Sequence, residues 1–286
     1  MAVKVWNEEV VTRLQKEGRG QGAGETYEPW LQFGDFSSKG VARRIYGVKV
    51  PRVHHYFSDG EYRFLVLAEW SENVFDIREQ FPMQRKRTQS IARDLGVHHD
   101  CYDGTHTPVV MTTDFLLSVI DGDGVKEVAV DIKPDSAAAD ERAVEKLEIH
   151  RTYFEQEGID HHLVFESSIS ETVFDNIDTI RGKLPRKSEP PQNLQELARL
   201  APLMTEWTGS LHGAQLDMRT SSVCREFDGL HGLEAGMGLR VLANLFFERA
   251  LPVNLRVPQL FQATWRDLTS KPQPDFAGLL ERQWAA

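Results

Sequence analysis

Apolar positions in the middle of the chain follow the two-residue period of β-strands. The clearest case is a pair of apolar runs at 109–120 and 125–134, joined by the turn sequence Asp-Gly-Asp-Gly at 121–124. Two such runs around a short glycine-containing turn predict an antiparallel β-hairpin.

The flanking patterns predict helices and further strands. Residues 58–72 predict a helix with Ser58 as N-cap, and 73–83 predict an extended segment. A charged helical pattern at 136–158 is followed by an apolar run at 161–167. The strand, helix and strand in series predict a βαβ unit, so this part of the chain is assigned to the mixed α/β class.

A proline-rich, charged stretch at 181–193 predicts an exposed linker. It separates a predicted first domain, 1–180, from a predicted second domain, 194–286. The second domain shows three helical patterns and a short extended segment at 251–259. Three helices followed by an extended wing indicate a small winged-helix-like module.

Composition narrows the class of protein. The 286 residues are 41% hydrophobic and 27% charged, which is typical of a globular protein with a sizeable core. Cys101 and Cys224 are far apart and lack CxxC spacing, which argues against a disulfide framework or a zinc site and favours a reducing cytoplasm. No signal peptide or membrane-spanning run is recognised.

The net charge of −10 argues weakly against general nucleic-acid coating, although a local basic face suffices for DNA binding. Residues 36–52 carry basic groups and no acid, and 84–93 add a second basic run. A solvated surface is the commoner explanation of either run taken singly.

Three charged residues interrupt the apolar hairpin. Asp131 and Lys133 share one face of their strand, and Asp114 on the preceding strand reaches the same face in a suitable register. Paired carboxylates suit Mg²⁺, and the arrangement matches the D…(D/E)-x-K pattern of restriction-endonuclease-like nucleases. Strand periodicity alone favours a surface salt bridge over a metal site.

Glu61 has two interpretations. Ser58-Asp59-Gly60-Glu61 fits a capping box, which the sequence alone favours. Alternatively, Glu61 is a third carboxylate that faces the metal.

Histidine pairs and one glycine-rich segment carry weaker signals. His54-His55 indicate hydrogen bonding or DNA contact, whereas the pairs at 98–99 and 161–162 are interpreted as ordinary surface or core histidines. The segment 18–24 lacks the lysine of a P-loop, so it predicts either backbone approach to a phosphate or a flexible turn.

Several stretches taken in order resemble the TnsA family, the endonuclease subunits of heteromeric cut-and-paste transposases. The stretches are 16–31, 52–70, 74–82, 111–117, 130–134 and 141–154, with weaker similarity at 222–255. The resemblance implies a restriction-endonuclease-like catalytic core and a C-terminal helical, winged-helix-like domain. It implies cleavage of transposon 5′ ends with Mg²⁺, for which Mn²⁺ can substitute.

The resemblance also implies partners and a location. Double-stranded DNA at transposon ends is the substrate, a separate transposase subunit cuts and joins the 3′ ends, and an ATPase regulator couples both to target DNA. We expect the partner transposase to supply end specificity. The implied location is the bacterial cytoplasm, on the nucleoid during activity.

Carried over residue by residue, the resemblance implies catalytic roles for Glu61, Asp114 and Lys133. Asp131 stands where the family often has Gln, and His150 stands where another acid is expected. We expect Asp114, Asp131 and the Ile132 carbonyl to hold Mg²⁺, Glu61 to support a second ion, and Lys133 to position the attacking water.

Two other functions stay open at this point. One is a stand-alone restriction or repair nuclease, which would cleave DNA without partners. The other is a non-catalytic DNA-binding adaptor, which would bind DNA without needing Asp114.

Overall fold

The computed structural model describes residues 6–35 and 42–269, and the chain forms two compact units, Met1–Ile169 and Ser170–Ala286. The division lies before the predicted linker at 181–193, because helix α5 (Glu171–Arg181) belongs to the second unit. The two units thus divide at 169, whereas the sequence predicts a boundary at 180. Lys39 of the basic run at 36–52 and the end of the predicted second domain, 270–286, lie outside the described residues.

A four-stranded sheet forms the centre of the first unit, in the order β3-β4-β5-β6. Its strands are β3 (Val74–Pro82), β4 (Thr112–Asp121), β5 (Gly124–Lys133) and β6 (Asp160–Phe165). β4 is antiparallel to β3 and to β5, and β5 is parallel to β6. The predicted hairpin and βαβ unit are both confirmed.

The hairpin turn is tight because it contains glycine. Asp121 pairs with Gly124, and Gly122 adopts a φ of 58°, a conformation that costs a glycine little. The glycine therefore fixes the register of β4 against β5, on which the positions of Asp114 and Asp131 depend.

Helices cover both faces of this sheet. The helices of the first unit are α1 (Glu8–Lys16), α2 (Asp59–Trp70), α3 (Arg85–Leu95) and α4 (Glu141–Glu157). On one face, Phe64 of α2 packs on Phe115 of β4. On the other face, Ile149 and Phe154 of α4 join a buried cluster with Ala129 of β5.

Several details of the first unit differ from the sequence-based expectation, including the unpredicted helices α1 and α3. Helix α4 begins at Glu141 rather than 136, because the Asp140 carboxylate caps it and Asp135–Ala139 form a short 3-10 helix. A separate two-stranded sheet, β1 (Arg43–Tyr46) with β2 (Val53–Tyr56), was not predicted.

The second unit is helical in its described part. Besides α5, its helices are α6 (Pro191–Gly209), α7 (Thr220–His231), α8 (Met237–Phe247) and α9 (Trp265–Thr269). Leu200, Phe227 and Val241 form the buried centre of α6, α7 and α8.

The segment predicted as an extended wing, 251–259, contains no strand. Instead, the buried Asn176 side chain of α5 donates to the carbonyls of Leu255 (3.0 Å) and Val257 (2.6 Å). Its Oδ1 accepts from the Leu260 N–H at 3.0 Å. These contacts satisfy backbone groups that a β-wing would pair in a ladder. Among the described helices, none is both long and apolar enough to span a membrane.

Candidate active site

The ladder between β4 and β5 stops where the predicted carboxylates begin. The last pair on that side is Phe115 with Val130. Beyond it, Asp114 Oδ2 accepts from the Ile132 N–H at 2.7 Å, and Asp131 Oδ1 accepts from the Asp114 N–H at 3.3 Å. The two carboxylates therefore accept hydrogen bonds from backbone N–H groups at this end of the two strands. These bonds hold Asp114 and Asp131 close together.

Lys133 contacts both carboxylates. Its Nζ lies 2.9 Å from Asp114 Oδ2, 3.7 Å from Asp131 Oδ1 and 3.1 Å from the Ile132 carbonyl oxygen. Burial opposes the charge of Lys133, but the neighbouring Asp114 and Asp131 raise its pKa above the usual value. The predicted ion pair is present, but it is not a surface pair, because Asp131 is 0% exposed.

The second oxygen of Asp131 contacts two histidines. Asp131 Oδ2 lies 2.7 Å from Nδ1 of His150 on α4 and 2.8 Å from Nε2 of His161 on β6. Burial opposes ionisation of Asp131, but the nearby His150 and Lys133 and the imidazole hydrogen bonds hold its pKa well below the usual range. Asp131 thus joins the Asp114–Lys133 pair to a histidine pair.

The three side chains Asp131, His150 and His161 form a set that could hold a metal ion. Their ligand atoms all lie within 4.8 Å of one another. Imidazole nitrogen with one carboxylate suits a transition-metal ion better than Mg²⁺, which prefers oxygen ligands. The alternative role of the two rings is to orient Asp131 by hydrogen bonding, as outer residues do at metal sites.

Glu61 lies near the N-terminus of α2 and is 7% exposed. Its N–H donates to Ser58 Oγ at 3.1 Å, and its carboxylate accepts from the Ser58 hydroxyl at 3.0 Å and from the Phe57 N–H at 3.2 Å. The helix is therefore capped much as predicted, although the return bond goes to Phe57 instead of the Ser58 amide. Burial and the neighbouring Asp114 raise the pKa of Glu61 to about 8.

Gln80 connects Glu61 to the sheet. Its side-chain NH₂ donates to Glu61 Oε2 at 3.2 Å, and its Oε1 accepts from the Thr112 hydroxyl at 3.2 Å. Gln80 also has a φ of 49°, which is uncommon for a residue other than glycine. Glu61 can therefore cap α2 and also face the site.

The structure brings Asp114, Asp131, Ile132 and Lys133 into direct contact, with Glu61 close enough to interact electrostatically with Asp114. The Ile132 carbonyl accepts from Lys133 here.

Sequence reasoning missed Gln80 and His161 and doubted His150. His161 was detectable in principle, because it pairs with Ala129, which shares a strand face with Asp131.

A second buried carboxylate, Glu79 of β3, has a different environment. Arg52 donates two hydrogen bonds to it, one at 2.8 Å, and His54 Nδ1 lies 2.9 Å from its Oε2. Burial raises the pKa of Glu79, but His54 and Arg52 outweigh this and lower it to about 2. The hydrogen-bonding interpretation of His54 is confirmed, since the ring is 0% exposed.

The glycine-rich segment at 18–24 contacts β3 of the same chain. The Gly24 N–H donates to both oxygens of Asp76 at 3.2 Å. Gly20 has a φ of 74°, and a Cβ there would lie 2.2 Å from the Pro82 ring. The segment is therefore a tight turn packed on β3, and its Gly24 amide binds the Asp76 carboxylate.

Comparisons with known proteins find similar sequences. A family model described as TnsA-like endonuclease N terminal matches residues 71–166, which include Asp114, Asp131 and Lys133 but not Glu61. The chain is 36% identical over 234 residues to the transposition protein TnsA of transposon Tn7 from Escherichia coli. That alignment covers 82% of this chain and 81% of the relative.

Proposed function

The chain belongs to the TnsA family, and from this membership we propose that it is a DNA endonuclease that cuts the 5′ ends of a transposon with Mg²⁺. The observation that carries the proposal is the meeting of Asp114, Asp131 and Lys133 where the β4–β5 ladder ends. Two carboxylates share this one ammonium in a largely buried position, and this favours a catalytic over a purely structural role.

The residues fit a hard divalent cation. Asp114, Asp131 and Glu61 offer carboxylate oxygens and Ile132 offers a carbonyl oxygen, which are ligands that Mg²⁺ prefers. The raised pKa of Glu61, about 8, and the raised pKa of Asp114 reflect burial and mutual repulsion, so added positive charge stabilises the group. When bound, the ion would stabilise negative charge on the scissile phosphate and the leaving 3′ oxygen. Mn²⁺ would substitute.

The chain's own residues have distinct roles in this proposal. Lys133 stays an ammonium beside Asp114 and orients the attacking water while balancing charge on the phosphate. Asp114 and Asp131 hold the ion, with the Ile132 carbonyl as a further ligand and Glu61 supporting a second ion directly or through water. His150 and His161 keep Asp131 ionised and fix its orientation.

The finer fold assignment belongs to the same proposal. A restriction-endonuclease-like core accounts for a mixed sheet that carries two acids and a lysine on its central hairpin. A winged-helix-like relationship for the second unit rests on its three successive helices α6, α7 and α8, without a strand in the described wing segment.

The family and the relative's printed name, which describes a transposon's transposition protein, support transposon DNA as the substrate. We propose double-stranded DNA at transposon ends as the substrate, and a separate subunit for the 3′ ends and an ATPase regulator as partners.

Calorimetric titration of Mn²⁺ tests the proposal without partners. The wild type should bind the ion, and Asp114→Ala should lose binding while keeping its circular dichroism spectrum. Asp123→Ala, in the exposed hairpin turn, removes the same charge and should bind like the wild type. Equal binding by all three proteins, or none by the wild type with or without DNA, would overturn the assignment.

A further inference from the structure

We call Asp114, Asp131 and Lys133 together the catalytic group. A cleft of about 340 Å³ opens beside this group on the α4 side of the sheet. Lys133 and His150 line one part of it, and Arg142, Lys146 and Asp100 line another. The cleft therefore connects a set of basic side chains to residues that contact Asp114 and Asp131.

The basic side chains form one stripe of α4. Arg142, Lys146 and His150 are spaced four residues apart, so they lie on the same side of the helix. His150 ends the stripe at Asp131, and Arg142 begins it in the first turn of α4. A polyanion bound at the catalytic group would therefore lie next to Lys146 and Arg142.

Asp100 pairs with both cations, and Arg142 also contacts Glu145 and the His98 carbonyl. Asp100 Oδ1 lies 2.5 Å from Arg142, and its Oδ2 lies 2.5 Å from Lys146. All three side chains are partly exposed, with 30% for Asp100, 32% for Arg142 and 41% for Lys146. A partly exposed ion pair is worth little, so an incoming anion can replace Asp100 as the partner at small cost.

We propose that this cleft is a binding subsite for a backbone phosphate of the DNA strand next to the scissile phosphate, held by Arg142 and Lys146 in exchange for Asp100. The Arg142 guanidinium matches the bidentate geometry of a phosphate, and Lys146 adds a point charge. This inference rests on the proposed nuclease function, because it takes DNA as the ligand.

Salt-dependent DNA binding tests the subsite. A labelled short duplex is titrated with protein in EDTA by fluorescence anisotropy, from about 50 to about 200 mM salt. Arg142→Gln and Lys146→Gln should each make the plot of log affinity against log salt less steep. The double variant, which leaves this one phosphate without a cation, should reduce the magnitude of the slope by about 0.9 and bind about 10-fold more weakly at low salt. Asp100→Asn should bind about 3-fold more tightly, because it removes the competing carboxylate.

Matched controls separate a local contact from overall charge. Arg151→Gln removes one positive charge from the same helix, where Arg151 pairs with Glu148 and Glu155 outside the cleft lining. Asp123→Asn removes one negative charge from the exposed turn. Both controls should bind within about 2-fold of the wild type, and thermal melting confirms that each variant is folded.

The outcomes distinguish the inference from the proposed function. If Arg142→Gln and Lys146→Gln bind DNA like Arg151→Gln, or if the wild type binds no duplex at low salt, the subsite is wrong. Mn²⁺ binding that Asp114→Ala abolishes would still support the nuclease in that case. If the ion does not bind but the salt slopes change as expected, the cleft binds DNA and the nuclease assignment fails.

Discussion

Glu79 and Asp114 are carboxylates on neighbouring strands of one sheet. Glu79 is fully buried and the Asp114 side chain is only 13% exposed, yet their surroundings are opposite. Glu79 accepts hydrogen bonds from Arg52 and contacts His54, and its pKa falls to about 2. Asp114 is close to Asp131 and Glu61, and burial together with Asp131 raises its pKa despite Lys133. Burial alone therefore does not distinguish a structural carboxylate from a functional one.

The difference lies in how the negative charge is compensated. Around Glu79, protein cations and N–H donors offset the loss of solvation, so the ionised state stabilises the fold. Around Asp114, the carboxylates repel one another and Lys133 compensates their charge only in part, so the site favours a cation from solution. The residues around Glu79 should therefore govern the stability of the fold. The residues around Asp114 should govern ion binding and cleavage.

The largest effect should come from Asp114→Asn. Cleavage by the complete transposase should fall about 10³-fold or more, because several kcal/mol of transition-state stabilisation are lost. The free energy of unfolding of the ion-free protein should change by less than about 1 kcal/mol, since Asn keeps an acceptor for the Ile132 N–H. Gel-based cleavage and urea denaturation measure the two quantities; a large loss of stability would remove the contrast with Glu79.

Glu79→Gln should show the reverse pattern. It leaves the Arg52 guanidinium, 8% exposed, without its carboxylate, and should lower the free energy of unfolding by about 3–5 kcal/mol. Glu127→Gln is the matched control, because Glu127 is 40% exposed and pairs with Arg78, so the cost should stay below about 1 kcal/mol. Equal costs in urea denaturation would contradict the proposed division of roles. Mn²⁺ affinity should be retained wherever the variant is folded.

The two regions should also depend on pH with opposite signs. Glu79 has a folded-state pKa of about 2 against a usual 4.5, so its stabilisation is present above pH 4.5 and is lost as pH falls towards 2. The stability difference between wild type and Glu79→Gln should therefore shrink by about 3 kcal/mol across that window. A difference that stays constant with pH would show that Glu79 is not ionised in the fold.

Glu61 should show the opposite dependence of stability on pH. Its folded-state pKa of about 8 is raised from 4.5, so stability is fully present below pH 4.5 and is lost as pH rises through 8. In EDTA, wild type should lose stability relative to Glu61→Gln over this range. The same titration with Mn²⁺ present should reduce the loss, because bound cation stabilises the carboxylate.

The smallest effect should come from the histidines behind Asp131. If His161 orients Asp131 by a hydrogen bond, His161→Gln should weaken Mn²⁺ binding by about 10- to 100-fold. His162→Gln is the control on the adjacent residue, where burial lowers the histidine pKa to about 4, and its Mn²⁺ affinity should match the wild type. A selective loss of Zn²⁺ or Co²⁺ binding, with Mn²⁺ binding unchanged, would instead identify Asp131, His150 and His161 as a separate metal site.

Local patterns in the chain were enough to predict the framework of the site. Glycines at 122 and 124 predict the hairpin, and the two-residue period places Asp131 and Lys133 on one face of β5. Ser58 predicts the start of α2 and thus the position of Glu61. These features depend on residues close together in the chain, where turn chemistry, capping and periodicity act directly.

The electrostatics of the site depend on contacts between elements that are distant in the chain. His150 and His161 meet at Asp131 because α4 packs on the sheet and β6 pairs in parallel with β5. The end of the ladder at Phe115 and Val130 is equally a result of long-range pairing. Compensation of a buried charge depends on groups distant in sequence, which is why the alternation of residues could place Asp114 but could not distinguish its environment from that of Glu79.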